Sequence, residues 1–245
     1  MSKIIILSDI HANISALSSV LEDCRLKYDY EYMALLGDIV NYGMSPNEVI
    51  NELKSVGCPV LVNLWGNHEK ALFDGDTRHF STGRGREALV FTRNMLTEDS
   101  KHYLSSSLAR SGTAEIVVGG KRILFVHGTL SDPFWGKMTP VEMMNPTYAK
   151  YDYVVSGHSH IPGLSEIFYK DETAHEYRNK KRTVFMNPGS VGQPRNHNPR
   201  AQYLFMDIGC EIFHFNSVAY DLDHERSLYV DGVDGFYKDR LTKGI

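Results

Sequence analysis

The chain has 245 residues, and 26 Lys+Arg against 30 Asp+Glu leave a formal net charge of −4. With 42% hydrophobic and 23% charged residues, it has the composition of a globular protein with a real core, which excludes disorder as the main state. The slightly acidic balance argues against a broad nucleic-acid-binding surface.

The longest apolar runs, such as Ile4–Leu7, span a handful of residues, against the roughly 20 that a membrane span requires. The N-terminal segment shows no small-residue cleavage site, and Cys24, Cys58 and Cys210 have no metal-type spacing. Reduced thiols in a cytoplasmic protein are the expectation.

The first stretch reads strand, turn, helix. Ile4–Leu7 has the pattern of a strand buried on both faces. After polar Ser8–Asn13, the residues Ile14, Leu17, Val20, Leu21 and Cys24 recur at helical spacing, with Asn13 as N-cap. A second unit repeats the scheme: strand Met33–Leu36, then Gly37-Asp38, then the capping box Ser45-Pro46-Asn47-Glu48 with proline at the first helical position. A third strand, Val60–Leu64, runs into Trp65-Gly66-Asn67-His68-Glu69. Three such units predict parallel strands with crossover helices, and their polar turns fall at the carboxyl edge of one sheet, where α/β proteins bind ligands.

Residues 70–112 read as a helical segment. Glu115–Val118 and Arg122–Val126 flank the hairpin signal Gly119-Gly120, and Thr139-Pro140-Val141-Glu142 is another capping box. Val154-Val155 is a strand ending in Gly157-His158-Ser159-His160. Further strands are expected near Ser165–Lys170, Thr183–Asn187 and Gln202–Asp207, the last pairing with Glu211–Phe215. The charged stretch Asp171–Arg182 reads as a solvated hairpin tip. No long linker interrupts the chain, so one domain over residues 1–245 is expected.

Five short segments carry the chemistry: Asp9-Ile10-His11, Gly37-Asp38, Gly66-Asn67-His68-Glu69, His127-Gly128 and Gly157-His158-Ser159-His160. Each follows an apolar strand. Singly they are weak, because an aspartate after a strand is most often a turn former or a cap, and a histidine there a hydrogen-bonded packing residue. His158 and His160 at period two would point to one face of a regular strand. Jointly, carboxylates, an amide and imidazoles at five strand ends form the nitrogen and oxygen donor set of a divalent transition metal.

That five-part order resembles the calcineurin-like metallophosphoesterases across essentially the whole chain, from Ser8-Asp9 to Asp207. Asn187–Arg195, followed by Asn198-Pro199-Arg200-Ala201, is similar to the small bacterial and archaeal branch that includes phosphodiesterases and dinucleotide-polyphosphate hydrolases. The resemblance implies an α/β fold, a four-layer αββα sandwich of two mixed sheets flanked by helices. It implies two divalent ions, manganese, iron or zinc, one held by Asp9, His11, Asp38 and His160 and the other by Asp38, Asn67, His127 and His158. It further implies in-line attack by metal-bound hydroxide, with His68 outside the metal shell as proton donor or transition-state support. The expected substrate is a small phosphorylated molecule, of nucleotide type in relatives of that branch, with a phosphodiester or phosphoanhydride bond.

One departure matters. Protein phosphatases of this superfamily continue Gly-Asp with an Asp and an Arg that orient the histidine and clamp phosphate; here those places hold Asn41 and Tyr42. That weakens the alternative reading as a phosphomonoesterase or phosphoprotein phosphatase. A non-catalytic scaffold is a further alternative, although such relatives typically lose ligands that this chain keeps. Replacement phosphate contacts are sought in Arg195, Arg200 or Asn13, the last also a helix cap, and in the glycine-rich run Asn187–Gly192. Phe134 and Trp135 either frame a pocket or belong to the core. His79, His102, His175, His197, His214 and His224 read as surface or packing residues.

Overall fold

The computed structural model describes residues 2–80, 82–173 and 178–245. Strand β1 (Lys3–Leu7) is followed by helix α1 (Ile14–Lys27), β2 (Tyr32–Leu35), α2 (Pro46–Lys54) and β3 (Val60–Asn63). Asn13 caps α1 as expected, its Oδ1 accepting from the Ala16 N–H at 2.9 Å. Ser45 makes no side-chain cap bond, and Pro46 alone marks the start of α2. β1 pairs parallel with β2, and β2 with β3. Late in the chain β9 (Ala201–Asp207) and β10 (Ile212–Val218) form a hairpin, and β9 joins the free side of β1 antiparallel. The first sheet therefore has the order β10-β9-β1-β2-β3.

The second sheet has the order β4-β5-β6-β8-β7, built from β4 (Thr113–Val118), β5 (Lys121–Val126), β6 (Tyr153–Ser156), β7 (Gly163–Lys170) and β8 (Lys180–Asn187). Gly119 and Gly120, with φ of 58° and 75°, turn the β4–β5 hairpin in the left-handed conformation that two-residue loops favour. β5, β6 and β8 run parallel, while β4 and β7 flank them antiparallel. The charged stretch expected as a hairpin tip joins β7 to β8, and its residues 174–177, His175 included, lie outside the described residues.

Alternation along β1 shows how the layers form. Ile4 and Ile6 pack between the sheets with Phe125, Val155, Val184 and Met206. Ile5 and Leu7 face Leu17 and Val20 of α1 and Val49 and Ile50 of α2. A third cluster covers the far face of the second sheet, where Leu124, Val154 and Phe185 meet Tyr148 and Tyr151. That outer layer is thin: α6 (Pro140–Met143) and one 3-10 turn (Pro146–Lys150). Thr139 caps α6 through Oγ1, but Glu142 turns its carboxylate to the Tyr148 hydroxyl at 2.8 Å, so that capping box is half made. The two mixed sheets flanked by helices are the four layers expected. Because both faces of β1 are apolar, burial alone does not set its register. Backbone bonds from Leu36 N–H to Leu7 C=O (2.9 Å) and from Asp9 N–H to Gly37 C=O (3.1 Å) fix it at the carboxyl edge.

The segment expected to be helical resolves into α3 (Asn67–Asp74), α4 (Gly83–Met95) and α5 (Glu98–Ser106), and turns non-helical after that. The C-terminal stretch adds α7 (Leu222–Ser227) and α8 (Gly235–Lys243), capped by Asp221 and Asp234. No helix among the described residues is long and apolar enough to cross a membrane.

Candidate metal centre

The five segments converge at the carboxyl edges of the two sheets. Asp9 and His11 follow β1, Asp38 follows β2, Asn67 and His68 open α3 beyond β3, His127 follows β5, and His158 and His160 follow β6. The expectation that His158 and His160 share a strand face is corrected: both lie past β6 in left-handed backbone, with φ of 64° and 59°. Asp9, His11 and Asp38 are also left-handed, at φ 53°, 50° and 53°. For a residue with a Cβ that conformation costs roughly 1–2 kcal/mol. Such strain persists only where the surroundings over-determine it, characteristically at functional sites.

Glycines make the convergence possible. A Cβ on Gly66 would sit 2.1 Å from Asp38 Oδ1, and one on Gly157 would sit 2.2 Å from Ser8 Oγ. Glu69, which sequence reading left without a role, ties the Asp38 loop down. Its buried carboxylate accepts backbone N–H bonds from Asp38 (2.8 Å), Ile39 (2.8 Å), Val40 (3.2 Å) and Gly66 (2.8 Å). Burial and the neighbouring Asp38 push that carboxyl up to about 7, and the backbone donors oppose the shift.

Two groups of ligand atoms share Asp38: Asp9, His11, Asp38 and His160 in one, Asp38, His127 and His158 in the other. Hydrogen bonds fix the imidazole tautomers. His11 Nδ1 faces Val40 C=O at 3.3 Å, His160 Nδ1 faces Gln193 C=O at 2.6 Å, and His127 Nδ1 faces Leu36 C=O at 2.7 Å. Each Nδ1 therefore donates its hydrogen to a carbonyl, which at the neutral rings of His11 and His160 leaves Nε2 as a lone pair aimed inward. His11 Nε2 and His160 Nε2 consequently face each other at 3.1 Å, and Asp9 Oδ1 is buried without a hydrogen-bond donor, 3.1 Å from His160 Nε2. Lone pairs converging on one point repel unless a cation lies among them. The residues present fit a divalent ion.

The second group has the same character. Asn67 Oδ1 lies 3.0 Å from His127 Nε2 and 2.9 Å from His158 Nδ1, and Asp38 Oδ2 lies 3.3 Å from His127 Nε2. Burial raises Asp9 and Asp38, but the facing imidazoles, His160 for Asp9 and His127 for Asp38, outweigh it and hold both carboxyls below the usual range. Burial also depresses His11 and His160, and takes His158 down to about 3. His127 is the exception: burial lowers it, but the Asp38 charge carries it up to about 9. Neutral imidazoles beside ionised carboxylates are the protonation states that metal binding selects.

His68 stands apart from both groups. Asn41 donates its amide to His68 Nδ1 at 2.6 Å, while the Asn41 carbonyl accepts from the Tyr42 N–H (2.9 Å) and from Thr92 Oγ1 (3.3 Å). These two donors set the amide orientation, so His68 Nδ1 is the acceptor and Nε2 carries the hydrogen, 3.8 Å from Asp38 Oδ2. Burial lowers the His68 pKa to about 4. The ring is a neutral N–H donor lining the cavity over the metal groups.

That cavity has a volume of about 540 Å³. Arg195 lines it; Arg200 is exposed and does not. Asn13 stays out of it: besides capping α1, its amide donates to Gly192 C=O at 3.0 Å. The glycine-rich run is occupied similarly, with Gly192 N–H bonded to Asp9 C=O at 3.1 Å. Trp135 both packs on the core and lines the cavity, whereas Phe134 packs on the core with Lys70 over its ring. His79, read as surface or packing, is exposed and stacks on Trp135 at 5.2 Å. Tyr42, Arg84, Phe236, Tyr237 and Arg240 also line the cavity, and sequence reading gave none of them that place.

A family model described as the calcineurin-like phosphoesterase superfamily domain matches residues 2–210. An uncharacterized protein of Methanocaldococcus jannaschii is 30% identical over 229 residues, 90% of this chain and 89% of the relative. A solved metallophosphoesterase of Sphaerobacter thermophilus superposes with a TM-score of 0.74 at 25% identity, covering 100% of this chain and 99% of that one. A hypothetical protein of Pyrococcus horikoshii OT3 does so with a TM-score of 0.78 at 21% identity over the same shares. The chain belongs to the calcineurin-like phosphoesterase superfamily.

Proposed function

We propose that this chain is a single-domain, dimetal phosphohydrolase of the cytoplasm that cleaves phosphodiester or phosphoanhydride bonds. Asp9, His11, Asp38 and His160 would hold one ion, and Asp38, Asn67, His127 and His158 the other. The nitrogen and oxygen donor set suits manganese, iron or zinc. Such ions polarise phosphoryl oxygens and lower the pKa of bound water towards neutrality. The observation that carries the proposal is the position of Asp38 in both groups, 3.9 Å from His11 Nε2 on one side and 3.3 Å from His127 Nε2 on the other.

The chain's own residues divide the remaining work. His68 presents Nε2–H to the cavity and supplies a hydrogen bond or a proton to the leaving oxygen. Asn41 holds that tautomer without adding a negative charge beside the ring. Arg195 lines the cavity as a phosphate contact. With Asn41 and Tyr42 where protein phosphatases carry an acid and an arginine, diesters and anhydrides are favoured over phosphoproteins. Three free cysteines fit a reducing compartment.

The test is hydrolysis of bis-p-nitrophenyl phosphate against p-nitrophenyl phosphate with manganese, alongside His68→Ala and Asp38→Asn. Diester turnover that falls by about 10²-fold or more in both variants is the expected result. Turnover of the monoester alone would replace the proposal with a phosphomonoesterase. No metal-dependent turnover of either, with metal still bound, would favour a scaffold.

A further inference from the structure

The cavity has more positive charge than a single diester needs. Arg84, Lys137, Arg195 and Arg240 line it, against Asp38 as the one lining carboxylate among the described residues. This stands against the chain's net charge of −4, so the excess is local. Arg240 and Arg195 sit half-buried or deeper, and the Arg195 Nε is buried without a hydrogen-bond partner. The Arg84 guanidinium lies 4.0 Å over the Phe236 ring and that of Arg240 5.1 Å from it, while Tyr237 stacks on Tyr42 at 4.5 Å. Tyr42 in turn packs edge-on against His68 at 4.6 Å. Helix α8 thus places a cationic and aromatic wall one ring away from the reacting centre.

Charge matching narrows the ligand, and here the inference rests on the dimetal reading above. Two divalent ions against Asp9 and Asp38 leave a net +2 at the cavity floor, which already exceeds the single charge of a phosphodiester. Arg240 donates Nε–H to the Ile245 oxygen and shares the Phe236 ring with Arg84. Among the described residues no carboxylate beyond Asp38 lines the cavity with these guanidiniums, so an anionic oxygen entering it would gain charge-assisted bonds. Tyr237 and the guanidiniums take the faces of Tyr42 and Phe236, so the aromatic surface offered to a flat ring system is the half-exposed Trp135 with exposed His79 stacked on it at 5.2 Å. A volume of about 540 Å³ falls in the usual range of small-molecule sites. Phe236 and Arg240 also lie beyond residue 210, where the family match ends, so the share of the wall that α8 contributes is not part of the matched region.

We propose that α8 builds a second phosphate subsite, in which Arg240, Arg195 and Arg84 hold a non-reacting phosphate, and that the substrate is a nucleoside diphosphate or an ester of one. The shared chemistry is a diphosphate; the aromatic wall selects one attached to a nucleoside over inorganic pyrophosphate.

Calorimetry on the manganese-loaded enzyme tests this with α,β-methylene-ADP, which cannot be cleaved between its phosphates, against AMP and inorganic pyrophosphate. The wild type should bind the methylene analogue at least about tenfold more tightly than AMP, the scale of one charge-assisted contact. Arg240→Ala should reduce that preference to below about threefold, and Arg240→Lys should restore part of it. Arg84→Ala, at the rim, should weaken the preference by about threefold and serves if the Arg240 variant fails to fold. Equal binding of the analogue and AMP by the wild type would overturn the subsite. Pyrophosphate binding as tightly as the analogue would overturn the nucleoside assignment. A diphosphate preference without metal-dependent hydrolysis of any diester, anhydride or monoester would sink the hydrolase proposal and leave the subsite standing; hydrolysis without the preference would do the reverse.

Discussion

The floor and the wall of the cavity are built on different terms. On the floor, the candidate ligands sit within a few residues of buried strands, Asp9, His11, Asp38, His158 and His160 of them in left-handed backbone, and are almost wholly sealed: Asp9, His11 and His127 are 0% exposed. The wall comes from the start of α4, the loop after β5 and α8, where Arg84, Trp135 and Phe236 are half-exposed. Over-determined geometry with strain suits fixed ion positions, and a looser surface of rings and guanidiniums suits a ligand that enters and leaves. Chemistry is placed where packing cannot relax, and recognition where it can.

Breaking the floor should cost most. Removing divalent ions with a chelator should abolish turnover, and adding manganese back should restore it; measured rates that ignore chelation would separate this chain from metal-dependent hydrolysis. A methyl group at Gly66 comes next. Because its Cβ would meet Asp38 Oδ1 at 2.1 Å, Gly66→Ala should destabilise the fold by about 1–3 kcal/mol, as overpacking does, and should lower metal affinity in the same titration. An alanine at Gly75, where nothing lies within 4 Å of the Cβ position but φ is 73°, gives the comparison for backbone strain without the clash.

Smaller effects should separate what positions His68 from what binds. Asn41→Ala leaves His68 Nδ1 without its donor, and a lost buried hydrogen bond of about 1–1.5 kcal/mol predicts a kcat roughly tenfold lower. An unchanged kcat would show that the ring keeps its tautomer without Asn41. The least effect is expected far from the chemistry, at Glu225. Its carboxylate is buried, accepting the Ser15 N–H at 3.1 Å with one oxygen, while the other has no partner. Burial raises the Glu225 pKa, so the folded state holds that proton more tightly than the unfolded chain does. Stability from this group is present at low pH and is lost as pH rises above the unfolded value of about 4.3. Glu225→Gln should therefore raise Tm by about 2 °C at pH 8 and by less at pH 4.5; a larger gain at the lower pH would reverse the assignment.

The same contrast explains what the sequence disclosed. Asp9, Asp38 and His127 were legible because each lies within three residues of an unbroken apolar strand, so local pattern and local chemistry coincide. The parallel β1–β2–β3 scheme was legible for the same reason. His158 and His160 were legible as candidate ligands but not in their true backbone, since nothing in Gly-His-Ser-His announces two left-handed histidines. Glu69 was hidden because a glutamate inside a motif looks like any first-turn helix acid, and only burial reveals that it gathers backbone donors from two loops. Arg240 was out of reach altogether: it meets Arg84 across the same Phe236 ring although they are far apart in sequence. Asp221 and Asp234, each a helix cap, were the local signals that could have announced the C-terminal helices, though not their destination.

His127 belongs to the second sheet, yet its Nδ1 donates to Leu36 C=O, just past β2 of the first. The candidate ligands likewise divide between the sheets, with Asp9, His11 and Asp38 on one side and His127, His158 and His160 on the other. Neither half alone can assemble the site, so during folding it comes into being only when the sheets dock. An ion that binds the docked state and not the open chain draws the docking equilibrium forward by mass action. The affinity of the proposed centre for an ion would then also gauge how firmly the two halves are clasped.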